Sequence, residues 1–129
     1  MQLQDSKHKK KSNVLVIKDG TKGNVICTNG SMANTFRTRL FGLLGRKGLA
    51  AGSGLLIEPS SGVHTFGMSF PIDIVSLDRN QRVVGLSHNT PAWKIRGLGL
   101  KTRSVLELPA GRIQECEIEH GDQIVVEAC

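Results

Sequence analysis

The sequence has few aromatic residues, few cysteines and no long apolar run. Tyr is absent, and one Trp and four Phe leave little aromatic surface for stacking bases or sugars. The three cysteines, Cys27, Cys116 and Cys129, form no Cys-x-x-Cys pair, which excludes a disulfide framework and a thiolate zinc site. No stretch approaches the roughly 20 apolar residues of a membrane-spanning helix. With 129 residues, the chain is predicted to form one domain with a single core.

Half of the net charge of +6 lies in the first 13 residues, where four lysines stand against Asp5. This tail has no apolar residues to fold against, so we predict that residues 1–13 are disordered and residues 14–129 form the globular domain. The apolar run that follows, Val14–Ile17, is too short for a signal peptide, which predicts a cytoplasmic protein. Nucleic-acid binding would depend on the tail alone, and a solvated terminus explains such a tail more simply.

The hydrophobic pattern predicts a mainly β fold with one principal helix. From Asn34 to Arg46, apolar residues recur at steps of three and four, which indicates a helix. Short strand-like segments precede and follow it, at 14–18, 24–28, 54–58, 63–68, 72–77, 82–86, 104–108 and 123–127. The region from Ser87 to Thr102 has no clear period and is predicted to be a long loop, a candidate lid or partner surface. Residues 113–118 are predicted to form a short helical turn. We therefore expect a small antiparallel β-sandwich or barrel, of the α+β type, with the helix packed against it.

Three motifs resemble one known family. The segment HTFGMSFPID runs from His64 to Asp73, the helix carries R-x-x-G-L-L-x-R from Arg39 to Arg46, and LELPAG follows at 106–111. Together they resemble the uncharacterised prokaryotic domain-of-unknown-function family 192, in which the first motif lies between a helix and a β-hairpin. The resemblance covers residues 33–126. Gly67 and Ser69 stand where the family often has an aromatic and a basic residue, and the family implies a fold without an activity.

The first candidate site is on the predicted helix. Arg39, Gly42 and Arg46 fall at i, i+3 and i+7, so two guanidinium groups would flank bare backbone on one helix face. Arg binds two oxygens of a carboxylate or phosphate at once, which suits an anionic ligand. The alternative is structural: the same arginines would pair with Glu107, Asp73 or Glu58 and fasten helix to sheet.

The second candidate site is the His64–Asp73 segment. If this segment is a strand, His64, Phe66 and Met68 share one face, and His64 is then most simply a hydrogen-bonded core histidine. The functional alternative has Asp73 orient His64 as a general base, with Thr65 as donor or nucleophile. No phosphate loop, nucleophile elbow or metal-binding His pair accompanies these residues, so no metal and no cofactor are predicted.

Two function hypotheses follow from these candidates. The favoured one is a non-enzymatic domain that binds an anionic small molecule or a partner protein through Arg39, Gly42, Arg46 and the His64–Asp73 segment, with Met68 and Glu107 in the same site. The other is a small hydrolase or transferase that uses His64 and Asp73 as an acid–base pair, which would also need a nucleophile or metal. No membrane association is predicted, and the oligomeric state is not determined by these patterns.

Overall fold

A computed structural model describes residues 14–33, 48–66 and 68–128. The described residues form nine strands and one short helix: β1 Leu15–Asp19, β2 Asn24–Ala33, β3 Ser53–Ile57, β4 Val63–His64, β5 Ile72–Leu77, β6 Val83–Thr90, β7 Ile95–Arg96, β8 Ser104–Pro109, α1 Arg112–Cys116 and β9 Ile124–Ala128. Seven strands form one sheet in the order β6-β5-β8-β3-β2-β1-β9, and β4 pairs with β7 in a separate small sheet. The predicted mainly β fold is confirmed.

The large sheet is mixed and curls into a half-barrel. Its pairs are antiparallel except β2 with β3, which run parallel. A parallel pair requires a long crossover connection, commonly helical, and this crossover contains the predicted helix at 34–46, which lies outside the described residues. The edge strands β6 and β9 meet at one end, where Arg82 bridges Gln123 and the Val83 amide donates to the carbonyl of Asp122 at 3.0 Å.

Each face of the large sheet carries its own apolar cluster. Cross-strand partners share a face and neighbours along a strand alternate, so the register divides the side chains of β3, β5 and β8. The inner cluster, on the face that bears α1, includes Leu56, Val75, Leu106, Leu108 and Ile113. The outer cluster, on the opposite face, includes Leu55, Ile57, Met68, Ile72, Ile74 and Val105. All six residues of β5 are buried, as expected for a central strand covered on both sides.

The short helix α1 begins and ends at residues in the left-handed region. Gly111 precedes it with φ of 95°, a conformation that glycine adopts without a Cβ penalty, and Glu117 follows it with φ of 55°. Ile113 and Cys116 are its buried residues. The predicted helical turn at 113–118 is therefore present, shifted toward its N-terminus.

The predicted and observed bounds differ most in three segments. β2 continues to Ala33, beyond its predicted end at residue 28. The segment 63–68 is not one strand, because β4 ends at His64 and a turn follows, in which the Met68 amide donates to the Thr65 carbonyl at 3.2 Å. The region from Ser87 to Thr102 is not wholly a loop, since β6 continues to Thr90 and β7 occupies Ile95–Arg96. β7 forms because it pairs with β4, and β6 continues because it pairs with β5; a local pattern shows neither pairing.

Candidate functional site

Thr65 is the residue that joins the two segments of the small sheet. Its side chain is 1% exposed, and its hydroxyl donates to the Pro91 carbonyl at 2.7 Å and accepts from the Lys94 amide at 2.9 Å. Its own amide donates to the Lys94 carbonyl at 2.8 Å, and its carbonyl accepts from the Trp93 amide at 3.1 Å. Buried polar groups are stable only when paired, so Thr65 fixes the 91–94 turn against the end of β4.

This anchored turn presents an exposed row of rings. Trp93 is 68% exposed, and its indole stacks on Phe66 with ring centroids 5.5 Å apart and an interplanar angle of 27°. Phe66 in turn lies against the His64 imidazole, at 4.9 Å. Ile95, the cross-strand partner of His64, is 51% exposed and extends the row. We call these four residues, His64, Phe66, Trp93 and Ile95, the aromatic surface.

Trp93 is held in a conformation that bulky residues rarely adopt. Its φ is 64°, in the left-handed region, where a bulky side chain is a genuine outlier. Such a conformation costs on the order of 1–3 kcal/mol and persists only where the surroundings over-determine it, as the bonds from Thr65 do here. The chain therefore keeps its one Trp in solvent at an energetic cost, an arrangement typical of recognition sites rather than of cores.

The charge around the aromatic surface has one sign. Residues 59–72 and 87–106, which supply the small sheet and its loops, contain no Asp or Glu. They contain four basic residues, namely Lys94, Arg96, Lys101 and Arg103. All four ion pairs among the described residues involve other cations, so these four are not neutralised by a described carboxylate within 4 Å. The surface is thus apolar at its centre and cationic beside it.

Asp73 lies on the other side of the large sheet. Its side chain is fully buried, and three backbone amides donate to its carboxylate: Asn89 at 2.7 Å, Gly111 at 3.1 Å and Ile113 at 2.8 Å. Gly111 has no side chain to cap α1, and Asp73 supplies the missing acceptor at that helix N-terminus. Within the described residues Asp73 therefore secures α1 and the end of β6 to the centre of the sheet.

The described structure does not bring Asp73 together with His64 and Thr65. His64 is exposed, and its Nδ1 accepts from the Phe66 amide at 3.2 Å, while no hydrogen bond joins His64 to Asp73 among the described residues. The Thr65 hydroxyl is engaged with backbone groups on both its donor and acceptor sides. The geometry of the described residues thus does not support His64 and Asp73 as an acid–base pair. His64 belongs instead to the aromatic surface, and Thr65 anchors that surface.

Glu107 and Met68 belong to the outer face of the large sheet. Glu107 pairs in register with Leu55 and Ile74, so its side chain lies on the face of the outer cluster, opposite Asp73. It is 4% exposed, and burial raises the pKa of its carboxyl to about 7. Met68 is buried in the outer cluster. The remaining predicted residues, Arg39, Gly42 and Arg46, lie outside the described residues.

The residue that sequence reasoning missed is Trp93. It stands in a segment without periodicity, so no pattern assigned it a face or a partner. The available signal was compositional: the only Trp of the chain, flanked by Pro91 and Lys94, in a stretch rich in basic and free of acidic residues. Its stacking on Phe66 joins residues 27 positions apart and required the tertiary structure.

Residues 14–33, 48–66 and 68–128 contain no group of three His, Cys, Asp or Glu side chains placed to hold a metal ion. No helix within those ranges has the length and apolarity needed to cross a bilayer.

The curled mixed sheet with a small second sheet defines a class of small β half-barrel domains. The sequence matches the model of the DUF192 family, described as Uncharacterized ACR, COG1430, over residues 16–126. Because the match spans most of the chain, the protein belongs to this family, as the three motifs predicted. No curated protein matches the sequence significantly.

Two solved structures share the fold. One is a protein of unknown function from Novosphingobium aromaticivorans DSM 12444, with a TM-score of 0.74, 22% identity, and coverage of 87% of this chain and 83% of the other. The second is a candidate transcription regulator from Sinorhizobium meliloti 1021, with a TM-score of 0.72, 18% identity, and coverage of 87% and 91% respectively. At these identities the similarity establishes the fold alone.

Proposed function

We propose that this protein is a non-enzymatic binding domain whose aromatic surface docks an acidic segment of a partner protein. The observation that carries the proposal is Trp93, which is held exposed in a left-handed conformation by the bonds of Thr65. Binding sites in proteins concentrate their affinity in a few aromatic and Arg residues within a patch. Here the aromatic surface and the neighbouring Lys94 lie on the small sheet and the turns beside it.

The charge pattern supports an acidic partner. Lys94 directly follows Trp93 in the anchored turn, and no carboxylate of the described residues within 4 Å neutralises it. A partner segment that carries both carboxylates and apolar side chains complements both features and is steered toward the surface by its charge. The surface thus combines an apolar anchor of rings with cationic neighbours.

A protein partner fits better than a nucleic acid. Non-specific binding of single-stranded nucleic acid uses ring faces on which successive bases stack, within a basic groove that follows the backbone. In this surface the Phe66 ring already packs against both His64 and Trp93, which leaves it less free to stack on a base. The aliphatic Ile95 adds apolar area that bases do not require. The description of the S. meliloti relative as a candidate transcription regulator makes nucleic acid an outcome to be tested.

The arginines of the predicted helix and a cytoplasmic location remain part of the proposal on sequence grounds. Arg39 and Arg46 would add cationic groups to an anion-binding protein.

The experiment uses Trp93 as its own reporter, because it is the only Trp of the chain. The full chain is titrated with a synthetic peptide of alternating Leu and Glu, and with a matched peptide in which Lys replaces Glu. We expect a saturable change in Trp fluorescence with the acidic peptide alone, weakened by salt because exposed charges are screened. Labelled peptide measured by polarisation should bind W93N at least about tenfold more weakly, since Trp is a typical hot-spot residue.

Two results would contradict this proposal. Equal binding of the Glu and Lys peptides would show that charge does not select the partner. Saturable binding of single-stranded oligonucleotide at lower concentration than the acidic peptide would assign the surface to nucleic acid. Asn is chosen at position 93 because it tolerates the left-handed region, and R79Q, a change on the distant Asp78–Asn80 turn, serves as the control.

A further inference from the structure

A cleft lies on the outer face of the large sheet, beside the small sheet and separate from the aromatic surface. It has a volume of about 500 Å³, within the range of small-molecule sites. The register places Ile74, Ser76, Gly85 and Ser87 on its floor, because these residues pair across β5 and β6 on the face of the outer cluster. Its wall is the segment 96–102, which follows β7.

The wall is fixed against the floor by a close backbone approach. Gly97 has φ of 76°, and a Cβ at this position would lie 2.8 Å from the Ser76 hydroxyl oxygen. Ser76 is 2% exposed, and its hydroxyl donates to the Gly97 carbonyl at 3.5 Å, the limit of a hydrogen bond. Only glycine satisfies both the conformation and the contact. The wall is therefore part of the folded domain, and the cleft is preformed rather than opened by a ligand.

The cleft combines apolar wall residues with cations. Leu98 is 71% exposed and Leu100 is fully exposed, so two large apolar side chains beside the cleft are left in solvent. Arg96 and Lys101 line the same cleft. The Arg96 guanidinium donates one hydrogen bond, to the Ile95 carbonyl at 2.9 Å, and neither cation has a described carboxylate within 4 Å. The lining residues include no Asp or Glu.

We infer that this cleft binds a small amphipathic carboxylic acid. Its carboxylate is held by Arg96 and Lys101, and its hydrocarbon body covers Leu98, Leu100 and the floor. Charge complementarity selects an acid over a neutral or cationic molecule of the same shape, because Arg binds both carboxylate oxygens through charge-assisted hydrogen bonds. Burial of the ligand's apolar surface against the two leucines supplies the rest of the affinity.

The site is distinct from the partner surface of the proposed function. Arg96 pairs with Val63 and His64 with Ile95 in the small sheet, so the residues of the two sites alternate along β7 and face opposite sides. A small acid in the cleft and an acidic peptide on the aromatic surface therefore use different side chains. This separation makes the two proposals independently testable.

The test is a titration of the full chain with octanoate at neutral pH, followed by calorimetry and by amide chemical shifts in NMR. We expect saturable binding of one octanoate, with the largest shifts in 96–102 and in the facing parts of β5 and β6. Octanol has the same hydrocarbon body without the charge and should bind at least about tenfold more weakly. R96Q and K101Q should each weaken octanoate about tenfold, the factor expected from one charge-assisted hydrogen bond. R79Q, which alters an exposed Arg outside the cleft, should bind as the unchanged protein does.

Three outcomes would overturn the inference. They are an absence of saturable octanoate binding, equal binding of octanoate and octanol, and equal octanoate affinity in R96Q, K101Q and R79Q. W93N separates this inference from the proposed function, because it should lose the acidic peptide and keep octanoate. If W93N loses octanoate while R96Q and K101Q keep it, the acid binds at the aromatic surface and the cleft is not its site.

Discussion

Replacing Asp73 with Ala should destabilise the protein severely, because Asp73 joins three elements at a buried position. Its carboxylate accepts from the Asn89 amide in β6, from Gly111 before α1 and from Ile113 inside α1. Without the carboxylate, these three amide donors lose their hydrogen-bond acceptor. The change therefore tests whether Asp73 is part of the architecture or of a functional site.

The magnitude follows from the three amides. A buried donor left without a partner costs about 1–3 kcal/mol, and hydrogen bonds to charged groups lie at the upper end of the scale. The bond from Ile113 is fully buried, while those from Asn89 and Gly111 are partly buried, so water can reach the latter two more easily. We expect a total loss of about 4 kcal/mol in the free energy of unfolding. Domains of this size are stable by only about 5–15 kcal/mol.

The assay is equilibrium unfolding of the full chain in urea, with D78A as a matched control. Asp78 also accepts from two backbone amides, those of Asn80 at 2.8 Å and Arg82 at 2.9 Å, but in an exposed turn. Because water replaces an exposed acceptor, D78A should cost no more than about 1 kcal/mol. If D73A does not fold, D73N keeps one acceptor oxygen and should show about half of the loss.

The reasoning would be refuted if D73A were no less stable than D78A. A residue kept for binding or catalysis is commonly neutral or costly to stability, so its removal leaves the free energy of unfolding unchanged or raises it. Such a result would return Asp73 to the acid–base hypothesis. A large loss that D73N partly restores would identify the carboxylate as a structural acceptor.

Two further changes test the outer face and the anchor of the aromatic surface. Burial raises the pKa of Glu107 from 4.5 to about 7, so between these pH values the folded state holds a proton that the unfolded chain releases. The free energy of unfolding should therefore fall by up to about 3 kcal/mol as pH rises from 4.5 through 7. E107Q should remove that fall, measured as urea midpoints at pH 5 and pH 8; the same pH slope in both proteins would contradict it. T65V should lose the bonds to Pro91 and Lys94, cost about 1–3 kcal/mol and shift the fluorescence of Trp93, because the anchored turn is released. T65S keeps the hydroxyl and is the control, and identical effects of Val and Ser would show that the hydroxyl is not the anchor.

Much of the fold follows from local pattern. The strand at 72–77 was predicted with its observed bounds, and the strands at 104–108 and 123–127 to within one residue, because buried strands are short apolar runs bounded by turn residues. The helical turn after Gly111 was predicted from composition in the same way. The family, too, is determined by the sequence, through motifs that lie in these elements.

The extent of β4 and the strand content of 87–102 were not predictable in this way. Alternation suggested that His64, Phe66 and Met68 share a face, whereas the structure exposes the first two and buries Met68. The cause is the turn at Thr65, whose hydroxyl bonds to a carbonyl 26 residues away. Contacts at that separation depend on how the whole chain closes, which no window of neighbouring residues contains.

The sequence by itself determined a mainly β fold, its family, and a set of polar residues with the chemistry for binding. Only the tertiary structure decided which of these residues meet. It placed Asp73 and Glu107 on opposite faces because Asp73 pairs with Leu108, and Ile74 with Glu107, and successive residues of a strand alternate between the faces of a sheet. It brought Trp93 onto Phe66 because Thr65 satisfies its buried polar groups only against the 91–94 turn.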